Sequence, residues 1–350
     1  MRTSPEVAHL RKIVDAFPRV TVAVLGDMVA DEFVFGEISR VSREAPVLIL
    51  RHRERSVVPG GGANAVNNLA ELGVNVLPVG VVGNDEPGRL LLRAFRHKHV
   101  PVTGILKDKD RATVTKTRIL AGMPHTWRQQ VVRVDREPEN ELGGHMANNL
   151  TMAAREYFRI ADAVLVSDYG YGAATPSILK NACIRWAHEP EKGLRDSVPV
   201  VLDSRHRMLE FSGITAATPN EAEVEEALGI TIGQDWDGLC AAGTEITSRM
   251  KLKSLLITRG RDGIVAFGGK HKPVDIPIFG GDEVTDVTGA GDTVIATYAA
   301  ALATGADAVD AAQLANYAGG IVVMKRGTAT VSREELLHAI EQTPPATRSH

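Results

Sequence analysis

Residues 20–72, VTVAVLGDMVADEFVFGEISRVSREAPVLILRHRERSVVPGGGANAVNNLAEL, carry two patterns side by side. Val20 to Leu25 is a compact β-branched run, and Gly62 to Leu72 places apolar residues at helical spacing. A strand followed by a helix is the repeating unit of a parallel sheet. Between the two, Glu32 to Val58 has no helical period and reads as extended chain. The stretch therefore predicts a βα unit interrupted by an excursion built of strands.

The same rhythm continues outward. Val76 to Val82, Ala163 to Ser167, Val200 to Asp203, Ala216 to Thr218 and Leu255 to Thr258 read as strands, with Glu86 to His97 and Gly144 to Arg159 as helices between them. That alternation predicts an α/β fold: a doubly wound, mostly parallel sheet with helices on both faces. Arg111 to Asp135 breaks the rhythm a second time, because VTKTRIL and QQVVRV alternate without a helix between them. The two excursions, about 32–58 and 111–136, are expected to pair into a small separate sheet. Ala290 to Thr304 and Ala306 to Lys325 are rich in small residues and predict two closely packed helices. Residues 1–342 are expected to form one domain, and 343–350 a flexible tail.

Composition narrows the function. Of 350 residues, 40 are Lys or Arg and 43 are Asp or Glu, a net charge of −3, which argues against a general nucleic-acid or acidic-membrane binder. No apolar run approaches the length of a membrane span, and the N-terminus lacks a secretion signal, so a cytoplasmic protein is expected. The two cysteines, Cys183 and Cys240, offer no disulfide framework and are expected to be buried as small hydrophobes. Against the acidic whole, Arg40 to Arg55 carries five Arg and two Glu, and Arg111 to Arg136 six Lys or Arg and one Asp. Two readings stand for these basic segments: cations guarding an exposed sheet edge, or a site for an anionic ligand.

Asp286-Val287-Thr288-Gly289-Ala290-Gly291-Asp292-Thr293 precedes a helix. Glycines at a helix start leave backbone N–H groups unshielded where the helix dipole is positive, which suits a phosphoryl group. Asp292 beside that anion would be repelled unless it takes a proton from an attacking hydroxyl. The plainer alternative is a glycine turn with an acidic first helical turn. Neither a dinucleotide fingerprint nor a Walker loop is present. Pro59-Gly60-Gly61-Gly62-Ala63-Asn64 opens another helix and is either a hinge or a close approach for a polyhydroxy ligand. Asp27 and Asp31 follow the first strand, where open α/β sheets bind ligands. Asn220 with Glu223 reads as a helix cap, or as a contact to nucleotide phosphates and, through water, to magnesium. Thr258 to Gly263 is a hairpin turn or a nucleotide contact.

Taken together, these residues resemble the ribokinase-like (PfkB) carbohydrate kinases, whose two glycine signatures are matched by Asp286 to Thr293 and Pro59 to Asn64. Within that family LGDMVADEFVFGEISRVSREAPV, VVPGGGANAVNNLAELG and DVTGAGDTVIATYAAALATGA look most like heptose 7-phosphate kinases. The resemblance implies ATP-dependent phosphorylation of a sugar hydroxyl, with Asp292 as base and Gly289, Ala290 and Gly291 as anion hole. Asp27, Asp31, Gly61, Gly62 and Asn64 would hold the sugar. Asn220 and Glu223 would serve phosphate and magnesium, Thr258, Gly260 and Gly263 the nucleotide, and Asn316 and Gly320 the adenine. The small sheet becomes a lid, with Arg40, Arg43, Lys116, Arg118 and Arg133 as candidates for a substrate phosphate.

The implied reaction phosphorylates the anomeric hydroxyl of D-glycero-D-manno-heptose 7-phosphate. Another sugar or nucleoside (fructose, ribose, fructose 6-phosphate) stands as the alternative, and a non-catalytic sugar-binding protein behind it. A monovalent cation and a homodimer paired through the lid are further expectations. The sequence departs from the heptose pattern at Tyr171, at Asp203-Ser204-Arg205-His206-Arg207 and at the insertion Gly122 to Trp127. It also lacks the nucleotidyltransferase signature of bifunctional heptose enzymes, so phosphorylation alone is expected of it.

Overall fold

The structure, a computed structural model, describes residues 5–122, 128–183, 198–268, 272–280, 285–343 and 345–348. The chain runs α1 (Pro5–Ala16), β1 (Thr21–Gly26), β2 (Met28–Val41), β3 (Leu48–Gly61), α2 (Gly62–Glu71), β4 (Asn75–Gly83), α3 (Glu86–His97), β5 (Ile105–Asp108), β6 (Thr115–Gly122), β7 (Gln129–Arg136), α4 (Gly144–Ile160) and β8 (Ala163–Asp168). It continues as α5 (Pro176–Cys183), β9 (Val200–Ser204), β10 (Ala216–Ala217), α6 (Glu221–Leu228), α7 (Trp236–Met250), β11 (Ser254–Thr258), β12 (Ile264–Gly268), β13 (Val274–Ile276), α8 (Ala290–Ala303), α9 (Ala308–Val323) and α10 (Arg333–Gln342).

Nine strands form the main sheet in the order β13-β12-β11-β10-β9-β8-β1-β4-β5. Every neighbouring pair from β11 to β5 is parallel, and β12 and β13 are antiparallel to their neighbours. The alternation along β1 explains the two helical layers. Val22 and Val24 pack with α1, α2, α8 and α9, whereas Ala23 and Leu25 pack with α4, α5 and α7 on the other face. β1 lies between β4 and β8, so chain connections leave it in both directions. The carboxyl ends of β1 and β8 therefore border the crevice that such sheets use for ligands.

The small sheet has the order β3-β2-β6-β7, with β2 and β6 parallel and the outer pairs antiparallel. It starts at Met28, two residues past the end of β1, rather than at Glu32, and β3 carries Pro59 and Gly60 as strand residues rather than loop. Register places Asp31 beside Lys116 and Phe33 beside Arg118 on one face, and Ile119 beside Val132 on the other. All eight residues of β7 are exposed, with Val132 and Val134 about half exposed.

Two expectations change. Cys183 and Cys240 are partly exposed rather than buried, although burial still pushes the Cys183 thiol up to about 11. The expected flexible tail lies in part along β13, where the Arg348 amide donates to Asp275 O at 2.8 Å. Of the insertion Gly122 to Trp127, residues 123–127 lie outside the described residues. No helix among the described residues is long and apolar enough to cross a membrane.

Candidate active site

Asp286 shapes the turn ahead of α8. Its carboxylate accepts from the Thr288 amide (2.9 Å) and the Gly327 amide (3.0 Å). Gly289 then caps α8 at φ +80°, a left-handed conformation open to glycine. The Ala290 amide donates back to Val287 O at 3.2 Å, so one of the three donors expected to form an anion hole is already used. The amides of Gly289 and Gly291 remain at the positive end of a 14-residue helix.

Asp292 follows in the first turn and is 4% exposed. Asn64 Nδ2 donates to its Oδ2 (2.9 Å), and the Tyr169 hydroxyl donates to its Oδ1 (2.8 Å). Burial, and to a lesser degree the charge of Asp203, push the Asp292 carboxyl up to about 7, against these two hydrogen bonds. A carboxyl so poised can accept a proton near neutral pH. Asn68 Nδ2 reaches Asn64 Oδ1 (3.2 Å) and the Thr293 hydroxyl donates to Asn68 Oδ1 (3.0 Å), which ties α2 to α8 through buried polar groups. Asn64, expected on the sugar, holds the candidate base.

Asp27 holds the protein's own backbone. It is buried and accepts from the amides of Tyr169 (2.9 Å), Tyr171 (3.0 Å) and Ala173 (2.8 Å). A carboxylate accepting from three amides fixes the loop after β8. Asp31 lies on the small sheet, where Arg118 Nη1 donates to it at 2.8 Å and the Thr328 hydroxyl at 3.2 Å. Gly60 makes room for it: a Cβ there would stand 2.6 Å from Asp31 Oδ2. Gly61 likewise lies under the Tyr169 ring, and Gly62 lies against Gly26 and the Asp27 backbone.

The expected cations divide. Lys116 sits over the rings of Tyr169 (5.3 Å) and Tyr171 (5.7 Å), and Arg118 pairs with Asp31 beside the ring of Phe33. Arg133 pairs with Asp135 on exposed β7. Arg40 and Arg43 do not join the site: they are exposed at the far end of the hairpin, about 30 Å beyond Asp31 at roughly 3.3 Å per strand residue. Past β9, Arg207 makes two bonds to buried Asp168 (2.9 and 2.7 Å), which also accepts from the Ser204 hydroxyl. Arg205 instead lies 5.0 Å from the centre of the Tyr169 ring and 3.6 Å from Glu223. Arg207→Met is expected to cost about 3 kcal/mol, since it strands the Asp168 charge. Urea unfolding measures this, and an unchanged midpoint would show that the pair contributes nothing.

On the other side of the Gly289 turn, a cavity of about 180 Å³ gathers Thr258, Gly260, Gly263, Asn316 and Gly320 against Gly291. Five of the seven residues expected at the nucleotide thus share one space, and Asn220 and Glu223 do not line it. Asn220 and Glu223 form a complete capping box on α6, each side chain bonded to the other's amide at 2.9 Å. That uses Glu223 Oε2, while Oε1 lies 3.6 Å from the Arg205 guanidinium. Tyr169 and Asp203 are site residues that the sequence reading leaves unassigned. Their signal was position: both stand at the carboxyl ends of strands β8 and β9.

A model of the pfkB family of carbohydrate kinases matches residues 21–335. The chain belongs to that family. As a PfkB protein it is a phosphotransferase acting on a hydroxyl group. It is 41% identical to the bifunctional protein HldE of Geobacter metallireducens over 91% of this chain and 62% of the relative, and 38% identical to that of Caulobacter sp. over 94% and 64%. It therefore spans less than two thirds of the length of these relatives. The PfkB fold is shared with phosphofructokinase-2 from Escherichia coli in complex with substrates and products (TM-score 0.73, 18% identity, 93% of this chain and 100% of that one). It is shared too with Arabidopsis thaliana ribokinase complexed with ribose and ATP (TM-score 0.69, 19% identity, 92% and 99%).

Proposed function

We propose that the protein transfers the γ-phosphoryl group of ATP to the anomeric hydroxyl of D-glycero-D-manno-heptose 7-phosphate, giving the 1,7-bisphosphate. The observation that carries the substrate class is the pair Lys116 and Arg118, two cations on the face of the small sheet that bears Asp31. Arg118 already pairs with Asp31, so the reading rests chiefly on Lys116. Resemblance of the sequence to heptose 7-phosphate kinases supports the particular sugar.

The sugar hydroxyl gives its proton to Asp292 as its oxygen bonds to the γ-phosphorus. The bond from that phosphorus to the bridging oxygen breaks and ADP leaves. The Gly289 and Gly291 amides and the dipole of α8 stabilise charge on the phosphoryl group in transit. Magnesium, held through water near Glu223, would neutralise phosphate charge. The small sheet acts as a lid that keeps water from competing with the sugar. Its outer face, with Ile119, Val132 and Val134, supports pairing of two copies, which sedimentation measures.

The test is ATP turnover across heptose 7-phosphate, fructose 6-phosphate, fructose and ribose. Preference for the heptose phosphate is expected, and preference for a neutral sugar would overturn the substrate class. Lys116→Met should raise KM for the sugar phosphate about tenfold or more, leaving KM for ATP unchanged. An unchanged sugar-phosphate KM would remove Lys116 from phosphate recognition.

A further inference from the structure

We infer that Tyr169 is the residue that positions Asp292 as a base, linking it to the lid and to the strand ends around it. This rests on the kinase reading above. Four contacts meet at this one half-buried side chain. Its hydroxyl donates to Asp292 Oδ1 at 2.8 Å. Its ring carries Lys116 of the lid at 5.3 Å and Arg205 at 5.0 Å. It also covers Gly61, where a Cβ would stand 3.3 Å from Tyr169 Cε2. Its own amide is held by Asp27 at 2.9 Å, so the loop that bears it is fixed from beneath.

The chemistry of this arrangement is specific. A carboxylate that must accept a proton along one direction needs its other directions occupied, or it rotates away from the hydroxyl. Asn64 occupies Oδ2 and Tyr169 occupies Oδ1, from different elements. Both donate, so both favour the ionised form, the one able to take the proton. Burial and the charges of Asp292 and Asp203 hold the Tyr169 phenol well above its usual pKa, against the pull of Arg205, so it stays protonated and donates. Lys116 belongs to β6, so the lid sheet bears on the base through this ring without touching it.

The charged groups facing Asp292 are few. Asp203 and Arg205 come from the end of β9, and Lys116 approaches from the lid by way of the Tyr169 ring. Asp203 opposes ionisation of Asp292 and Arg205 favours it.

The experiment is the pH dependence of kcat/KM for Tyr169→Phe beside the unaltered protein and Asp292→Asn. The phenylalanine keeps the ring and removes only the donor, and a thermal melt checks that the fold is retained. Expected are a kcat about tenfold lower, with KM for ATP unchanged, and an acidic limb moved up by about one pH unit. The sign follows from the lost hydrogen bond, which had favoured the charged carboxylate. An acidic limb that stays in place, with Asp292→Asn inactive, would overturn the role of Tyr169 and leave the base reading intact. Full turnover by Asp292→Asn would overturn the base reading itself. Should the melt show that Tyr169→Phe does not fold, Lys116→Met, read in kcat at saturating sugar phosphate, supplies the test, because Lys116 approaches Asp292 by way of the Tyr169 ring. The acidic limb should again move up, whereas no movement counts against the proposal.

Discussion

Asp292→Asn is expected to lower kcat by about 10²- to 10⁴-fold, the usual contribution of a positioned general base. The substitution is nearly isosteric in a site that is 4% exposed, so packing is retained. The asparagine amide can still accept from one neighbour, and the Tyr169 hydroxyl can turn to accept from its NH₂ group. ATP binding, on the far side of the Gly289 turn, should be unaffected, so the loss falls on kcat and not on KM for the nucleotide. In the unaltered protein the acidic limb of kcat/KM should lie near pH 7, because burial holds the Asp292 carboxyl at about 7. Activity is present above that pH and is lost as the carboxylate protonates below it. Steady-state kinetics with the sugar phosphate measure both, and an Asn variant with ordinary turnover would remove Asp292 from the chemistry.

Gly289→Ala is the second large effect expected. Gly289 has φ +80°, where an L side chain is strained, and its new Cβ would stand 2.6 Å from Asn64 Nδ2. Asn64 is fully buried and bonded to Asp292 and Asn68, so it has nowhere to retreat. Relief has to come from the turn itself, which displaces the amides at the start of α8 and the base that follows. Losing a preorganised donor of this kind costs about 10²- to 10³-fold in kcat. Gly291→Ala is the control, since a Cβ there meets nothing within 4 Å. Its kcat should change far less, and equal losses in the two variants would sink the steric account.

The strands and helices that bound the site were legible because β1 is a short β-branched run, buried on both faces, and α2 spaces its apolar residues as a helix does. The glycine turn and Asp292 were legible because the need for a positive φ beside a helix start restricts the residue type. The polarity of Asp27 and Asn64 marked them for the site, and only tertiary contacts reveal that each also bonds within the protein, Asp27 to loop amides and Asn64 to Asp292. Arg40 and Arg43 shared a charge pattern with Lys116 and Arg118, and charge along a strand says nothing of which end reaches the crevice. Tyr169 went unassigned because nothing local distinguishes a phenol that orients a base from one that fills a core.

The parallel pairing of β2 with β6 has a further consequence for how the chain comes to be folded. Asp31 and Lys116 are neighbours in register yet lie far apart in sequence, with α2, β4, α3 and β5 between them. The β2–β3 hairpin is a local event, whereas β6 can join it only after those elements have docked, because closing so long a loop loses chain entropy before any contact repays it. On a ribosome the growing chain would thus present a lone hairpin for some time, its edge guarded by Arg53 and Arg55 in ion pairs with Glu37 and Glu32.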